Sequence, residues 1–407
     1  MPTASTAAPL PLAGLTVLDI SSFIAAPVAA TVLGDYGADV IKVEPPGEGD
    51  PNRHMRELVS YPKSPVNYPW HLDARGKRSI ALDLKADGAR AVLDRLIAGA
   101  DVLITNYPRA VRGRLRLRYE DVAPVNARLI YASFTGYGET GPDADQVGFD
   151  STAYFARSGL ADGTRYEGQP PGVPMPAQGD RASSMTLVAG IMMALWQRER
   201  TGRGLRISSS LMANGIWSNA VHVQAALVGS SLAPRPPRER PRNAVGNVYR
   251  TRDDRWMQLS IVREEKDFPI FCAALGRTDL LDDPRFAVLE TRRANAEALT
   301  AILDAVFAAA DMAHWHQLLS AHAIPMSQIG RPQDLVDDPQ AVASGSIVPT
   351  GHTEVTRTIA APFTLDGVEP QHARPGPALG GQTDDILRQA GYSAAEIAAL
   401  RRSGGVA

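Results

Sequence analysis

An acidic residue that opens a helix can be a cap or a reagent, and the stretch PAQGDRASSM (176–185) raises that choice. Asp180 stands just ahead of the apolar run LVAGIMMALW (187–196). Aspartate is a favoured N-cap because its carboxylate accepts a backbone N–H. The same free N–H groups and the helix dipole favour the anion. The position therefore predicts an Asp180 that stays ionised at neutral pH, and by itself leaves open whether that carboxylate is a cap or a reagent.

Other chemistries find less support. The first strand-like stretch leads into SSFIAAP, without the glycines that let backbone approach a pyrophosphate. No nicotinamide or flavin is expected, and no GxxxxGK[ST] or GxSxG motif is present. The eight histidines are scattered, and the nearest pair, His314 and His316, is two apart on an expected helix and so points to different faces. No metal site is expected. Cys272 is the single cysteine, so no intrachain disulfide can form, and FPIFCAALG around it reads as buried helix. A net charge of −2 without like-charge blocks argues against a nucleic-acid partner. The opening MPTASTAAPLPLAG reads as small and flexible, without the basic and apolar segments of a signal peptide. The run from Leu187 to Trp196 falls short of the about 20 residues a bilayer needs. A cytoplasmic protein with no membrane partner is the expectation.

The elements that must hold Asp180 follow from apolar patterning. LTVLDIS (15–21), ADVIKVE (38–44), RSIALDLK (78–85), ADVLITNY (100–107) and ARLIYASF (127–134) are continuous apolar runs, with helical spacing between them. Such runs suit strands buried on both faces of a parallel sheet built from βαβ units. A helix runs from Asp180 to TGRG (201–204), followed by a strand-like LRISSSL and a helical LMANGIWSNAVHVQAALVG. At 407 residues, two domains are expected. The reading is a large Rossmann-like α/β domain over 1–222, a Pro/Arg-rich linker over 223–246, a small α+β domain over 247–330, and a segment over 331–407 returning to the large domain.

The motifs GADVIKVEPPGEGD, RGKRSIALDLK, GYGETGP, GFDSTAYFARSGL, the Gly-Asp helix with its TGRG stop, DPRF (283–286), VDDPQ (336–340) and TDDILRQAGYSAAEI occur in this order across nearly the whole chain. In that order the chain resembles the class III CoA-transferases, the family that includes formyl-CoA transferase, carnitine CoA-transferase and α-methylacyl-CoA racemase. The resemblance implies a nucleophilic Asp180, coenzyme A arriving as acyl-CoA, and a carboxylic acid as the second substrate. It also implies an interlocked homodimer, each chain threaded through a ring formed by the other. Asn106 and Arg114 match CoA-contacting positions, and Arg75, Lys77 and Arg78 lie in the basic turn expected near the adenosine. Ile24 and Thr135 stand where formyl-CoA transferase has Gln and Lys, and the counterpart of its glycine-rich lid falls near Arg238–Val248, where this chain reads RERPRNAVGNV. Phe149 replaces the histidine with which the racemases move a proton, and Asp150 matches an acidic position of the transferases. Ile24, Thr135, Phe149 and Asp150 are thus expected in the substrate pocket. A CoA-transferase is favoured over a racemase-type isomerase and over a non-catalytic CoA-binding protein of the same fold.

Overall fold

The structure, a computed structural model, describes residues 9–172 and 174–407. The start of the N-terminal stretch expected to be flexible, residues 1–8, lies outside them. The chain packs as two units, one formed by 9–162, 174–230 and 339–407, the other by 163–172 and 231–338.

The first unit is built on six parallel strands: β1 (Thr16–Asp19), β2 (Asp39–Glu44), β3 (Arg78–Ala81), β4 (Val102–Thr105), β5 (Ile130–Thr135) and β6 (Arg206–Ser210). Their order is β3-β2-β1-β4-β5-β6, the doubly wound arrangement that reverses direction between β1 and β4. Alternation sorts the continuous apolar runs into two cores. Val17, Val102, Ile104, Ile130 and Ala132 pack against the helices Ala25–Asp35 and Gln178–Thr201. Leu18, Leu103 and Tyr131 face the other way, toward the helix Ala89–Ala98 and the C-terminal Ile386, Leu387 and Ile397. The C-terminal segment also joins the sheet unit through Gln371 N–H to Asp35 O and Ala407 N–H to Ala81 O.

The second unit has its own core around Val245, Tyr249, Phe268, Phe271, Phe307 and Trp315. Its antiparallel sheet comprises β7 (Val248–Arg250), β8 (Trp256–Leu259) and β9 (Met326–Gln328). Cys272 is fully buried there, and burial pushes its thiol up to about 12.

Two expected boundaries differ. Residues 223–227 are helix (Ala220–Leu227) rather than linker. The Pro/Arg-rich stretch is packed, because Arg238 pairs with Asp304 and donates to Val248 O. Residues 163–172 also belong to the second unit, where Glu167 N–H donates to Arg235 O at 2.7 Å.

The β1 end is pinned by buried charge. Asp19 accepts from Lys77 Nζ at 2.8 Å and faces Lys42 Nζ at 3.4 Å, with all three side chains buried. Lys42 continues to Asp50 at 2.6 Å. Burial alone would raise the Asp19 carboxyl, but Lys42 and Lys77 outweigh it and hold it below its ordinary range. Removing one member of such a network leaves a buried, uncompensated charge. Asp19→Asn should therefore destabilise the protein by about 3–5 kcal/mol in urea unfolding. A loss below about 1 kcal/mol would show that the network is dispensable.

Candidate active site

A cavity of about 690 Å³ opens where β1, β4 and β5 end. It is lined from β1 onward by Ser22–Ala25, from β4 by Asn106, Pro108 and Arg109, and from β5 by Phe134–Gly136. In a doubly wound sheet, this crevice beyond the carboxyl ends at the point of reversal is where ligands bind. The two loops at the reversal are laced together. Ser22 N–H donates to Asn106 Oδ1 at 2.8 Å, and Asn106 Nδ2 returns a bond to Ser22 O at 2.7 Å.

Asp180 lines the cavity at the start of the helix Gln178–Thr201. It is not the cap. The helix begins after Ala177, which no side chain of its own caps, and Asp180 is the third helical residue. The capping carboxylate comes from Asp150, whose Oδ1 accepts the Gly179 N–H at 3.0 Å. That frees the Asp180 side chain, which among the described residues has no hydrogen-bond or ion-pair partner. Gly179 is required by space: a Cβ there would meet the Tyr154 ring at 2.3 Å and Asp150 Oδ1 at 2.4 Å. Gly136 and Gly148 press together in the cavity wall for the same reason, a Cβ on Gly136 falling 2.7 Å from Gly148 Cα.

The electrostatics correct the expectation of a fully ionised Asp180. Burial and the neighbouring Asp150 push its carboxyl up to about 7, Asp73 adds to this, and Arg181 opposes it. The helix N-terminus does not overcome that penalty because its N–H groups are directed at Asp150. Burial also raises Asp150, against the backbone N–H groups of 177–180 that favour its anion.

The other expected site residues divide. Ile24, Asn106, Thr135, Phe149 and Asp150 all line the cavity with Asp180. Arg114 does not; it is exposed on the last turn of the helix Arg109–Arg114, without an ion-pair partner among the described residues. Arg75 and Lys77 also lie away from the cavity. They are buried and committed within the protein, Arg75 to Asp35 at 2.6 Å and Lys77 to Asp19, so neither guanidinium nor ammonium is presented to a nucleotide. Arg78, partly exposed, pairs with Asp39 at the sheet edge and donates to Gln389. In sequence these three read as a basic turn, because the carboxylates that consume them lie up to 58 residues away.

Two cavity residues were not anticipated. Phe23 has a left-handed backbone (φ 65°), costly for a bulky side chain, and its ring meets Phe149 edge-to-face at 5.9 Å. Tyr61 lines the cavity with its hydroxyl unpartnered, and burial and the nearby Asp73 push that hydroxyl up to about 12.

Such a cavity holds a pre-positioned carboxylate with a second carboxylate behind it. This suits attack on an electrophilic carbonyl, with an onset set by Asp180 ionisation. The reactive anion forms as pH rises through about 7, so kcat/KM for any reaction using it should fall below that pH. Asp150→Asn removes a neighbouring charge and should move the limb to lower pH. A rate independent of pH between about 5 and 9 would contradict the assignment.

Comparison with known proteins identifies the family of the chain. The chain is 31% identical to an (R)-2-hydroxy-4-methylpentanoate CoA-transferase of Clostridioides difficile, over 95% of this chain and 97% of that one. It is 33% identical to an acetyl-CoA:oxalate CoA-transferase of Acetobacter aceti, over 90% and 92%. It is also 31% identical to a cinnamoyl-CoA:phenyllactate CoA-transferase of Clostridium sporogenes, over 96% and 95%. A crystal structure of a CAIB/BAIF family protein from Brucella suis superposes with a TM-score of 0.83 at 28% identity, covering 94% of this chain and all of that one. The sequence profile of CoA-transferase family III spans residues 12–383, and this chain belongs to that family.

Proposed function

We propose that the protein moves CoA from an acyl-CoA to a carboxylic acid through covalent intermediates on Asp180. The observation that carries this is the unpartnered Asp180 carboxylate facing a cavity at the sheet's point of reversal. Family membership supports CoA transfer in general, and the site supports the covalent route. In that route an Asp180 oxygen attacks the thioester carbonyl; the C–S bond breaks and CoA leaves as thiolate. The thiolate attacks the Asp180 carbonyl of the mixed anhydride, releasing the first acid as carboxylate and leaving an aspartyl–CoA thioester. The acceptor carboxylate then attacks that thioester, forming a second anhydride and expelling the thiolate again. Attack of the thiolate on the acceptor's carbonyl yields the new acyl-CoA and regenerates Asp180. No water or net proton is consumed, so the cavity has only to exclude solvent.

Within this reading Asn106 braces the CoA-proximal loop, exposed Arg114 is the cation available to CoA phosphates, and Asp150 positions the helix start. The relatives' printed names include a branched, an aromatic and a dicarboxylic acid, so the family does not set the acid. We also read the protein as an interlocked homodimer of the cytoplasm. Support for self-association comes from exposed apolar side chains on the helices Gln178–Thr201, Leu211–Ser218 and Ala220–Leu227, namely Met193, Trp196, Trp217 (82% exposed), Val221 and Leu227. Light scattering should give a dimer mass, and Trp217→Glu with Val221→Glu should lower it or the yield of folded protein.

Asp180→Ala should abolish exchange while CoA still binds. Hydroxylamine should trap wild-type Asp180 as the hydroxamate during turnover. Retained exchange in the variant would remove Asp180 from the mechanism, and absence of any adduct would favour a non-catalytic CoA-binding protein. A racemase-type isomerase would instead place solvent deuterium at the α-carbon without an acceptor acid. We expect none, because Phe149 cannot carry a proton and stereoinversion needs a proton-transferring group on each face.

A further inference from the structure

We propose that the cavity beside Asp180 selects a monocarboxylic acid with an aromatic or branched-alkyl acyl group, seated against Phe23 and Phe149, and discriminates against dicarboxylic acids. This rests on the CoA-transfer reading above.

The first support is the wall itself. Phe23 and Phe149 line the cavity, yet 38% and 52% of their surfaces stay exposed. Ile24, Met55, Phe134 and Leu211 continue the apolar lining. An apolar acyl group covering these rings would remove their surfaces and its own from water. The edge-to-face pair, at an interplanar angle of 86°, offers one ring face and one ring edge.

The second support is that the wall is held in place. Phe23 N–H donates to Asp50 Oδ1 at 3.0 Å, and its carbonyl accepts from Asn52 Nδ2 at 3.0 Å. Asp50 is in turn bound to buried Lys42, and Asn52 donates to Asp73, which pairs with Arg181 beside the nucleophile. Left-handed backbone at a bulky residue persists only where surroundings over-determine it. Here they do, and a wall fixed beforehand costs a ligand no ordering.

The third support is charge. The ionisable side chains lining the cavity, apart from Tyr61, are Arg109, Asp145, Asp150 and Asp180. Among the described residues the one guanidinium there, Arg109, lies at the exposed rim, 3.6 Å from Asp145. The second carboxylate of a diacid seated against the two rings would leave water for an apolar wall or meet the like charge of Asp150 and Asp180.

Internal competition tests the selection. Wild-type protein is given propanoyl-CoA with equal amounts of phenylacetate, 3-methylbutanoate, acetate, succinate and glutarate, and the CoA esters are followed by mass spectrometry. Product ratios report relative kcat/KM. Phenylacetyl-CoA and 3-methylbutanoyl-CoA should exceed acetyl-CoA by about 10–200-fold, and both diacid esters by more. Phe149→Ala should cut the phenylacetate-to-acetate ratio at least tenfold, and Phe149→Arg should raise succinate relative to phenylacetate. Ratios unmoved by both variants, or diacids equal to or ahead of the apolar acids in the wild type, would overturn the selection while leaving CoA transfer intact. Acetate level with phenylacetate would likewise overturn it, by assigning the rings to the CoA arm common to every substrate. No CoA ester from any acid, with no adduct on Asp180, would instead defeat the underlying reading.

Discussion

The site depends on a cap that comes from elsewhere in the chain. A helix start leaves N–H groups that need an acceptor, and an aspartate in the first turn would ordinarily serve. Here Asp150, from a π-helical turn 29 residues upstream, accepts the Gly179 N–H. The helix is thereby satisfied without its own carboxylate, and Asp180 can face the cavity. Gly179 is what allows the approach, since a side chain there would collide with the Tyr154 ring and with the capping carboxylate. Cap and candidate nucleophile are neighbouring aspartates with separate tasks, and the cap raises the cost of ionising Asp180.

The same economy holds the opposite wall. A line of linked groups, buried from Lys77 through Asp19 and Lys42 to Asp50, continues through the Phe23 backbone and Asn52 to buried Asp73 and half-exposed Arg181. Buried ion pairs are poor sources of net stability, because desolvation offsets their attraction. They are costly to break, however, and each link therefore fixes a position. The line begins under the sheet and ends next to Asp180, tying the loop after β1 to the start of the helix Gln178–Thr201. Exposed aromatic rings can then face the cavity on a loop that cannot collapse over them.

This explains what the sequence could show. Strands β1, β2, β3 and β4 lie within their expected apolar runs and β5 ends one residue past its own, because burial on both faces writes itself into consecutive residues. The helix from Gln178 was legible from its stop at TGRG, and Asp180 from its place at the start. Partnerships across 20 to 60 residues were not legible. Arg75 and Lys77 looked like a basic surface because Asp35 and Asp19 carry no local mark of being their partners. Asp180 looked ionised because the burial and the Asp150 charge that raise it are tertiary facts. Phe23 gave no sign of its left-handed backbone, since only the bonds from Asp50 and Asn52 impose it.

An aspartate brought to about 7 looks at first like a handicap for a nucleophile, since part of it is protonated at neutral pH. The physical origin of the shift argues otherwise. Burial and Asp150 penalise the anion, and they do so whatever removes the charge. A proton removes it, and so does an acyl group or CoA bound to the same oxygen or carbon. A rise from 3.8 to about 7 corresponds to on the order of 4 kcal/mol. In the covalent route proposed above, much of that strain on the anion would be released as Asp180 became an anhydride or a thioester, both neutral at that position. The more basic carboxylate is also the stronger nucleophile toward a thioester carbonyl. In the proposed mixed anhydride it would be the poorer leaving group, biasing the returning thiolate toward expelling the substrate's carboxylate and keeping CoA on Asp180. On the proposed route, the second carboxylate behind Asp180 would thus do more than cap a helix: its charge would favour the covalent intermediates over the Asp180 anion that precedes them.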